Sequence, residues 1–81
     1  MDRKEIEQKI KEVLADRLDV NIAKIKLDSD LVEDLGMDSF TAVEVAFEIK
    51  EIFGVEVKDH DFDKLKIPAK IIEHIINHLN S

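Results

Sequence analysis

Apolar side chains recur at helical spacing in three stretches of the chain. Within residues 3–18 they follow the spacing i, i+4, i+7, i+8 and i+12, which places them on one face of an α-helix. These side chains are Ile6, Ile10, Val13, Leu14 and Leu18. Residues 39–53 are apolar over a wider arc and stop before Gly54, and residues 68–79 begin with Pro68 and carry a strong apolar face. The pattern therefore predicts three main helices with these bounds.

The segment between the first two helices, residues 19–38, has neither a helical nor an alternating period. Its isoleucine and leucine side chains predict a long loop that packs on the core, not a loop without structure. Asp30 and Glu33 have the spacing of a capping pair, and Gly36 suits the end of a turn. We therefore expect one capped turn within this loop.

The segment before the last helix predicts smaller elements. Residues 55–58 alternate apolar and polar side chains as a strand does, but they are too few to form a sheet alone. Asp59 is expected to cap a short helical turn that holds Phe62 and Leu65. The predicted fold is all-α, a small four-helix bundle with three main helices, one short helix and a long first loop.

Length and composition support one domain over residues 1–81. A chain of 81 residues has the length of a single domain, and a hydrophobic content of 44% is ordinary for a globular protein. There is no cysteine, which excludes disulfides, thiolate catalysis and zinc–thiolate sites. No apolar run approaches the roughly 20 residues that cross a membrane, and the N-terminus lacks a signal-peptide core. We expect a cytoplasmic monomer that inserts into no membrane.

The formal net charge of −7 bears on the choice of partner. Nucleic acid is disfavoured, because affinity for it comes from lysine and arginine side chains that neutralise phosphates. A partner with a basic patch is favoured instead. Thr41, Glu44, Glu48 and Glu51 are spaced i, i+3, i+7 and i+10, so they form one acidic strip along the second helix. From spacing alone, this acidic strip is a solvated helix face.

Two patterns resemble metal-binding sites, and neither contains a complete set of ligands. His74 and His78 share a helix face, but two ligands without the H-E-x-x-H pattern do not define a zinc site. The acidic residues of the first loop fail the EF-hand pattern, because Gly36 at its sixth position would put Leu31 at the first and Ala42 at the twelfth. We therefore expect no metal site.

Ser39 lies at the predicted start of the second helix, in the run DLGMDSF of residues 34–40. The nucleophile elbow of hydrolases, G-x-S-x-G, is absent, and no general base is near. Spacing alone favours a structural role in which the Ser39 hydroxyl caps the helix. We expect no catalytic residue and no enzymatic activity of the chain itself.

The run EDLGMDS, residues 33–39, resembles the E-D-L-G-x-D-S-L signature of acyl carrier proteins. The matching residues are Glu33, Asp34, Leu35, Gly36, Asp38 and Ser39. In that family the serine carries 4′-phosphopantetheine donated by coenzyme A. The resemblance, which extends over nearly the whole chain, implies that Ser39 is the attachment site. It also implies that a separate phosphopantetheinyl transferase supplies the catalysis, and that the arm brings the thiol that the chain lacks.

The resemblance gives the acidic strip a role as well. In the family, acidic residues of the second helix meet arginine and lysine patches on partner enzymes, which include acyl-transferring and condensing enzymes of fatty-acid, polyketide or related lipid synthesis. The residues implied to contact such partners are Asp38, Phe40, Glu44, Glu48 and Glu51. The resemblance further implies an interior pocket for the acyl chain. Its candidate lining residues are Phe47, Leu65 and Ile75.

The sequence departs from the family pattern at two informative positions. Phe40 stands where the family usually has leucine, and Pro68 opens the last helix. A D-S-F run and a proline at that position also resemble D-alanyl carrier proteins and some peptidyl carriers, so an aminoacyl or D-alanyl cargo is an alternative. An alternative of another class is a helical protein-interaction module without a prosthetic group, in which Ser39 is only a cap.

Overall fold

The fold contains the three main helices that the apolar spacing predicts. A computed structural model describes residues 2–58, 61 and 65–80. Helix α1 spans Arg3–Leu18, α2 spans Ser39–Phe53 and α3 spans Pro68–Leu79, and a 3-10 turn lies at Ile22–Lys24. No strand occurs within these described ranges. The all-α class and the three helix bounds are confirmed.

The short helix expected before α3 depends on residues that mostly lie outside the described ranges. Asp59 and Phe62 are among the residues not described, while Leu65 is buried at the end of the segment. The 55–58 segment is neither helix nor strand, and it places Val55 in the core. Its alternating pattern therefore reflects one-sided packing on the helices without a partner strand.

Local chemistry fixes where each helix begins and ends. The carboxylate of Asp2 accepts a hydrogen bond from the Glu5 amide and caps the start of α1. Helix α2 ends at Gly54, whose φ of 71° is the left-handed conformation that glycine adopts without a steric penalty. Pro68 occupies the first turn of α3, where its missing amide hydrogen is not needed.

The core lies between α1 and the two later helices, since α1 packs against both α2 and α3. Helices α1 and α3 contribute the apolar faces that their spacing predicts, and α2 contributes one side of its wider apolar arc. The innermost side chains are Ile6, Ile10, Leu14, Val45, Ile49, Ile71, Ile72 and Ile75. None of the buried residues in the described part of the chain is polar. Burial of apolar surface is therefore what holds the helices together.

The loop from residue 19 to residue 38 packs on this core, as predicted. Ile25, Leu31 and Met37 are buried within it. Its backbone is also tied to the segment that leads into α3. The Leu31 amide donates to the Lys66 carbonyl over 2.6 Å, and the Ala69 amide donates to the Leu27 carbonyl over 3.0 Å. The loop is thus held against the segment that leads into α3.

The capped turn within the loop is confirmed with one change of partner. The Asp30 carboxylate accepts from the amides of Val32 and Glu33, and the turn ends at Gly36 with a φ of 72°. In return, the Asp30 amide donates to the Asp34 carboxylate over 2.9 Å, and not to Glu33. Asp34 therefore has a structural role in holding the turn that leads to α2.

Candidate functional site at the start of the second helix

Asp38, and not Ser39, caps α2. Asp38 has extended backbone, and its Oδ1 accepts a 2.8 Å hydrogen bond from the Thr41 amide. Ser39 is the first residue inside the helix and is exposed. The expectation that the Ser39 hydroxyl caps the helix is wrong, because the carboxylate one residue earlier already binds the amide that a cap would satisfy. Among the described residues, the Ser39 hydroxyl has no hydrogen-bond partner.

The capping bond lowers the pKa of the Asp38 carboxyl below its usual value of 3.8, chiefly because the Thr41 amide stabilises the charged form. A pKa that is lower in the folded state means that ionised Asp38 stabilises the fold. That contribution is complete above the unfolded value and is lost as the pH falls through the folded pKa. The site is therefore most stable when Asp38 is charged.

Asp38→Asn should test this linkage, because asparagine is also a good N-cap residue and the exchange removes mainly the charge. We expect the wild type to have the higher thermal midpoint near neutral pH. The difference should shrink as the pH falls below 3.8, the usual value. The measurement is the thermal midpoint of both proteins from neutral pH to below 3.8. Asp28→Asn, away from the helix start, is the control for loss of charge. A difference that stays constant with pH would contradict the linkage.

An open hollow of about 400 Å³ lies beside Ser39. Its walls include Met37 and Ala42, which are buried, and Lys66 contributes a cationic side chain. Ser39 and Asp38 also line this hollow. The serine hydroxyl thus combines exposure to solvent with free space on one side, which is what a separate modifying enzyme needs in order to reach it.

The chemistry around Ser39 fits a phosphodiester-linked prosthetic group. The hydroxyl is exposed and unpartnered among the described residues, and it belongs to the first turn of a helix of 15 residues. The positive end of a helix dipole favours a phosphate placed there. Ser39 would carry such a group, and the hollow beside Ser39 provides space for it.

The acidic strip of α2 is partly engaged within the molecule. Arg17, in the last turn of α1, donates from Nη1 to Glu44 Oε2 over 3.1 Å and from Nη2 to Glu48 Oε1 over 3.0 Å. These contacts raise the pKa of Arg17, first through the hydrogen bond to Glu48 and then through the two negative charges. Glu51 is exposed and makes no ion pair with any described residue. The predicted docking acids are therefore not equivalent.

Arg17 is the residue that sequence reasoning missed. It lies 27 positions before Glu44 and 31 before Glu48, and no local pattern joins residues that far apart. The only sequence signal was a cation near the C-terminal end of a helix, where arginine is common for reasons of the helix dipole alone.

An apolar strip, formed by Phe40, Val43 and Phe47, lies exposed on α2. Their side chains are 73%, 54% and 64% exposed. Phe40 was predicted to face partners, and its exposure fits that role. Large apolar side chains that share one exposed helix face are typical of an interaction surface.

Two of the three residues predicted to line an acyl pocket lie together at one cavity. Phe47 and Leu65 line one cavity of about 210 Å³, together with Val43 and Val57. Ile75 is fully buried in the helix core and is not among the described residues that line this cavity. The reason is that Ile75 points toward the shared core of the bundle, so the space beside α2 opens on a different side.

The two histidines of α3 contact backbone carbonyls. His74 Nε2 lies 3.3 Å from the Glu56 carbonyl oxygen, and His78 Nδ1 lies 2.8 Å from the His74 carbonyl oxygen. Because a carbonyl only accepts, the facing ring nitrogens carry the protons. No group of three or more metal-ligating side chains occurs in the part of the chain that the structure describes.

Comparison with known proteins agrees with this geometry. The family described as phosphopantetheine attachment site matches residues 8–75, a span that contains the first loop, α2 and most of α3. The fold and the exposed serine thus define a small helical carrier domain with a prosthetic group. The chain belongs to the acyl carrier family of proteins with a phosphopantetheine attachment site. Its prosthetic group is 4′-phosphopantetheine, and its role is that of an acyl carrier.

Several curated relatives resemble the chain over most of its length. An acyl carrier protein of Rubrobacter xylanophilus is 37% identical over 78 residues, which cover 96% of each chain. An acyl carrier protein of Phytoplasma mali is 43% identical, over 91% of this chain and 88% of the relative. One of Rickettsia bellii is 42% identical, over 90% and 85%. Within the described residues, none of the helices is long and apolar enough to span a membrane.

Proposed function

We propose that Ser39 is the residue to which the 4′-phosphopantetheine arm is attached. The observation that carries this proposal is the exposed, unpartnered hydroxyl at the start of α2, with the capping task taken by Asp38. A hydroxyl that contributed to the cap would resist modification, since its loss would leave a helix amide unsatisfied. Ser39 has no such task among the described residues, so it is available to a transferase.

The attachment chemistry requires little from this chain. The Ser39 oxygen forms a bond to the phosphorus of the pantetheine phosphate in coenzyme A. The bond from that phosphorus to the adenosine bisphosphate part breaks, and the serine proton passes to a base of the transferase. When bound, the arm supplies a terminal thiol on which acyl groups are held as thioesters. The chain itself presents the cargo and catalyses no step.

The proposal is tested with the apo-protein, coenzyme A and a broad-specificity phosphopantetheinyl transferase. We expect the intact mass to rise by one arm, and peptide mapping to place the added mass on Ser39. Mapping distinguishes Ser39 from the other hydroxyl residues of the chain, which are Ser29, Thr41 and Ser81. No mass gain would favour an interaction module without a prosthetic group, and a gain at another hydroxyl would move the site.

We further propose that partner enzymes dock on α2, around Ser39. These partners are the transferase itself and the acyl-transferring and condensing enzymes of fatty-acid, polyketide or related lipid synthesis. Support comes from the acidic strip with Glu44, Glu48 and Glu51, and from the apolar strip that includes Phe40. A docking face of this kind combines apolar contact area with charges that steer a basic partner. The carrier is proposed to act as a cytoplasmic monomer.

Glu51 offers the cleanest test of electrostatic docking, because it is the strip carboxylate without an ion pair to a described residue. We expect Glu51→Lys to slow association with a basic partner such as the transferase, and high salt to reduce the difference. Stopped-flow association rates measure this. Glu73→Lys, an equal charge change on the exposed side of α3, is the control. Equal slowing by both variants would mean that net charge, and not the α2 surface, governs docking.

The cargo is proposed to lie in the cavity beside α2 that Phe47 and Leu65 line. Its volume of about 210 Å³ is smaller than the roughly 300–1,000 Å³ of sites that enclose a typical small-molecule ligand. A short acyl chain, or an aminoacyl group, therefore suits this cavity better than a long chain. Lys50 and Lys58 also line the cavity and give it charged edges.

A further inference from the structure

Arg17 joins α1 to the acidic strip in an uncommon way. Its two terminal nitrogens bind carboxylates of two different residues, which lie one turn apart on α2. A guanidinium usually forms two parallel bonds to a single carboxylate, and here the same planar fork spans two. Its Nε is buried and has no hydrogen-bond partner. The two terminal nitrogens of Arg17 are therefore the donors engaged by Glu44 and Glu48.

We propose that Arg17 is an internal competitor for the docking face, so that a partner's basic side chains must displace it before they can bind Glu44 and Glu48. The inference rests on the proposed docking of basic partners on α2. The partner to which it applies is the phosphopantetheinyl transferase, which has to reach Ser39 on every copy of the chain. Arg17 presents to these carboxylates the same chemistry that an arginine of the partner would present.

The exposure of the three side chains makes this exchange feasible. The side chains of Arg17, Glu44 and Glu48 are 31%, 36% and 28% exposed. Water therefore reaches the contact, and ion pairs in such settings contribute little to stability. An arriving arginine or lysine can replace Arg17 without leaving a buried charge unpaired, because the released guanidinium can turn into solvent. The cost of displacing Arg17 therefore appears mainly as slower association with the partner.

The contact also changes which part of α2 attracts a partner. With Arg17 in place, one of the two negative charges of Glu44 and Glu48 is offset and both carboxylates already accept a hydrogen bond, whereas Glu51 makes no ion pair with a described residue. The apolar strip of Phe40, Val43 and Phe47 runs along the same helix. A partner that relies on Glu51 and on apolar contacts is favoured over one that relies on Glu44 and Glu48 alone. Arg17 thus weakens the part of the docking face that Glu44 and Glu48 provide to the transferase.

The test compares Arg17→Gln with Arg3→Gln. Both exchanges remove one positive charge from α1, but Arg3 pairs with Glu7 on its own helix and touches neither docking carboxylate. We expect Arg17→Gln to raise the association rate with the transferase, and kcat/KM for loading of Ser39, by about two- to fivefold at low salt. Arg3→Gln should have a smaller effect. The gain should disappear at high salt.

A second set of variants distinguishes competition by Arg17 from a general effect of charge. In a protein that already carries Glu44→Gln and Glu48→Gln, Arg17 has no carboxylate on α2 to bind. Arg17→Gln should then no longer accelerate association with the transferase. Arg17→Lys keeps the positive charge but lacks the planar guanidinium that binds two carboxylates. It should raise the association rate less than Arg17→Gln does. Thermal midpoints of all variants check that they are folded. If Arg17→Gln fails to fold, the lysine variant carries the test.

The outcomes distinguish this inference from the proposed function. If Ser39 is loaded but Arg17→Gln associates with the transferase no faster than Arg3→Gln, Arg17 is not a competitor for the docking face. The carrier role would be unaffected by that result. A slower Arg17→Gln would also overturn the competition, since that result means Arg17 arranges the two carboxylates for the partner. If no variant and no wild-type protein is loaded, the proposed attachment site fails first.

Discussion

Ser39→Ala is expected to abolish loading completely and to leave the fold unchanged. Loading fails because the variant has no oxygen for the phosphate to join. Folding is unaffected because the Ser39 hydroxyl has no hydrogen-bond partner among the described residues, while the Asp38 carboxylate caps α2 over 2.8 Å. Alanine also suits the interior of a helix. The measurement is intact mass after incubation with coenzyme A and transferase, together with the thermal midpoint.

Ser29→Ala is the matched control for this prediction. Ser29 lies in the first loop, outside α2, and is the other serine within the described residues. Its variant should gain the mass of the arm as the wild type does. Loading that persists in Ser39→Ala would place the attachment elsewhere. A lowered midpoint in Ser39→Ala would instead show that the hydroxyl stabilises the helix start and is not free.

The contrast between Ser39 and Asp38 shows where sequence reasoning stopped. Both serine and aspartate are preferred N-cap residues, and they are adjacent in the chain. The choice between them depends on which residue leaves the helical conformation, and the loop that precedes α2 decides this. Asp38 is the residue with extended backbone, at a φ of −103° and a ψ of 176°. The helix bound was predicted correctly, but the cap was not.

The apolar face of α2 shows a second limit. Its apolar arc is wide, so periodicity alone could not say which side is buried. Val45 and Ile49 are buried against the rest of the bundle, while Phe47, between them, is 64% exposed. Packing against α1 selects one side and leaves the other to solvent. The contact of Arg17 with Glu44 and Glu48 has the same origin, since it depends on how α1 and α2 come together.

Helix bounds, in contrast, were predictable because they depend on neighbouring residues. Gly54 ends α2 with a positive φ, and Pro68 begins α3 at the position where a missing amide hydrogen does no harm. The apolar spacing of α1 is regular enough to fix its buried face. Local chemistry therefore accounts for the elements of the fold, and long-range packing accounts for the surface on which its function depends.

Ile72→Ala is expected to be strongly destabilising. The Ile72 side chain is fully buried on α3, with Ile71 and Ile75 beside it in the same core. Truncation removes buried methyl and methylene groups and leaves a cavity, which costs about 2–5 kcal/mol of unfolding free energy. A chain of 81 residues has a total of only about 4–12 kcal/mol, at roughly 0.05–0.15 kcal/mol per residue. The exchange should therefore remove a large share of the stability.

Ile52→Ala is the control, because it makes the same chemical change on α2 where the side chain is 41% exposed. We expect it to alter the free energy by less than about 0.5 kcal/mol, since alanine also favours the helix. Urea unfolding of both variants, with the slope compared to wild type, measures the difference. Similar losses in the two would mean that the α3 face does not form the core. The bundle would then have no apolar centre to hold α2, and the serine at its start, in place.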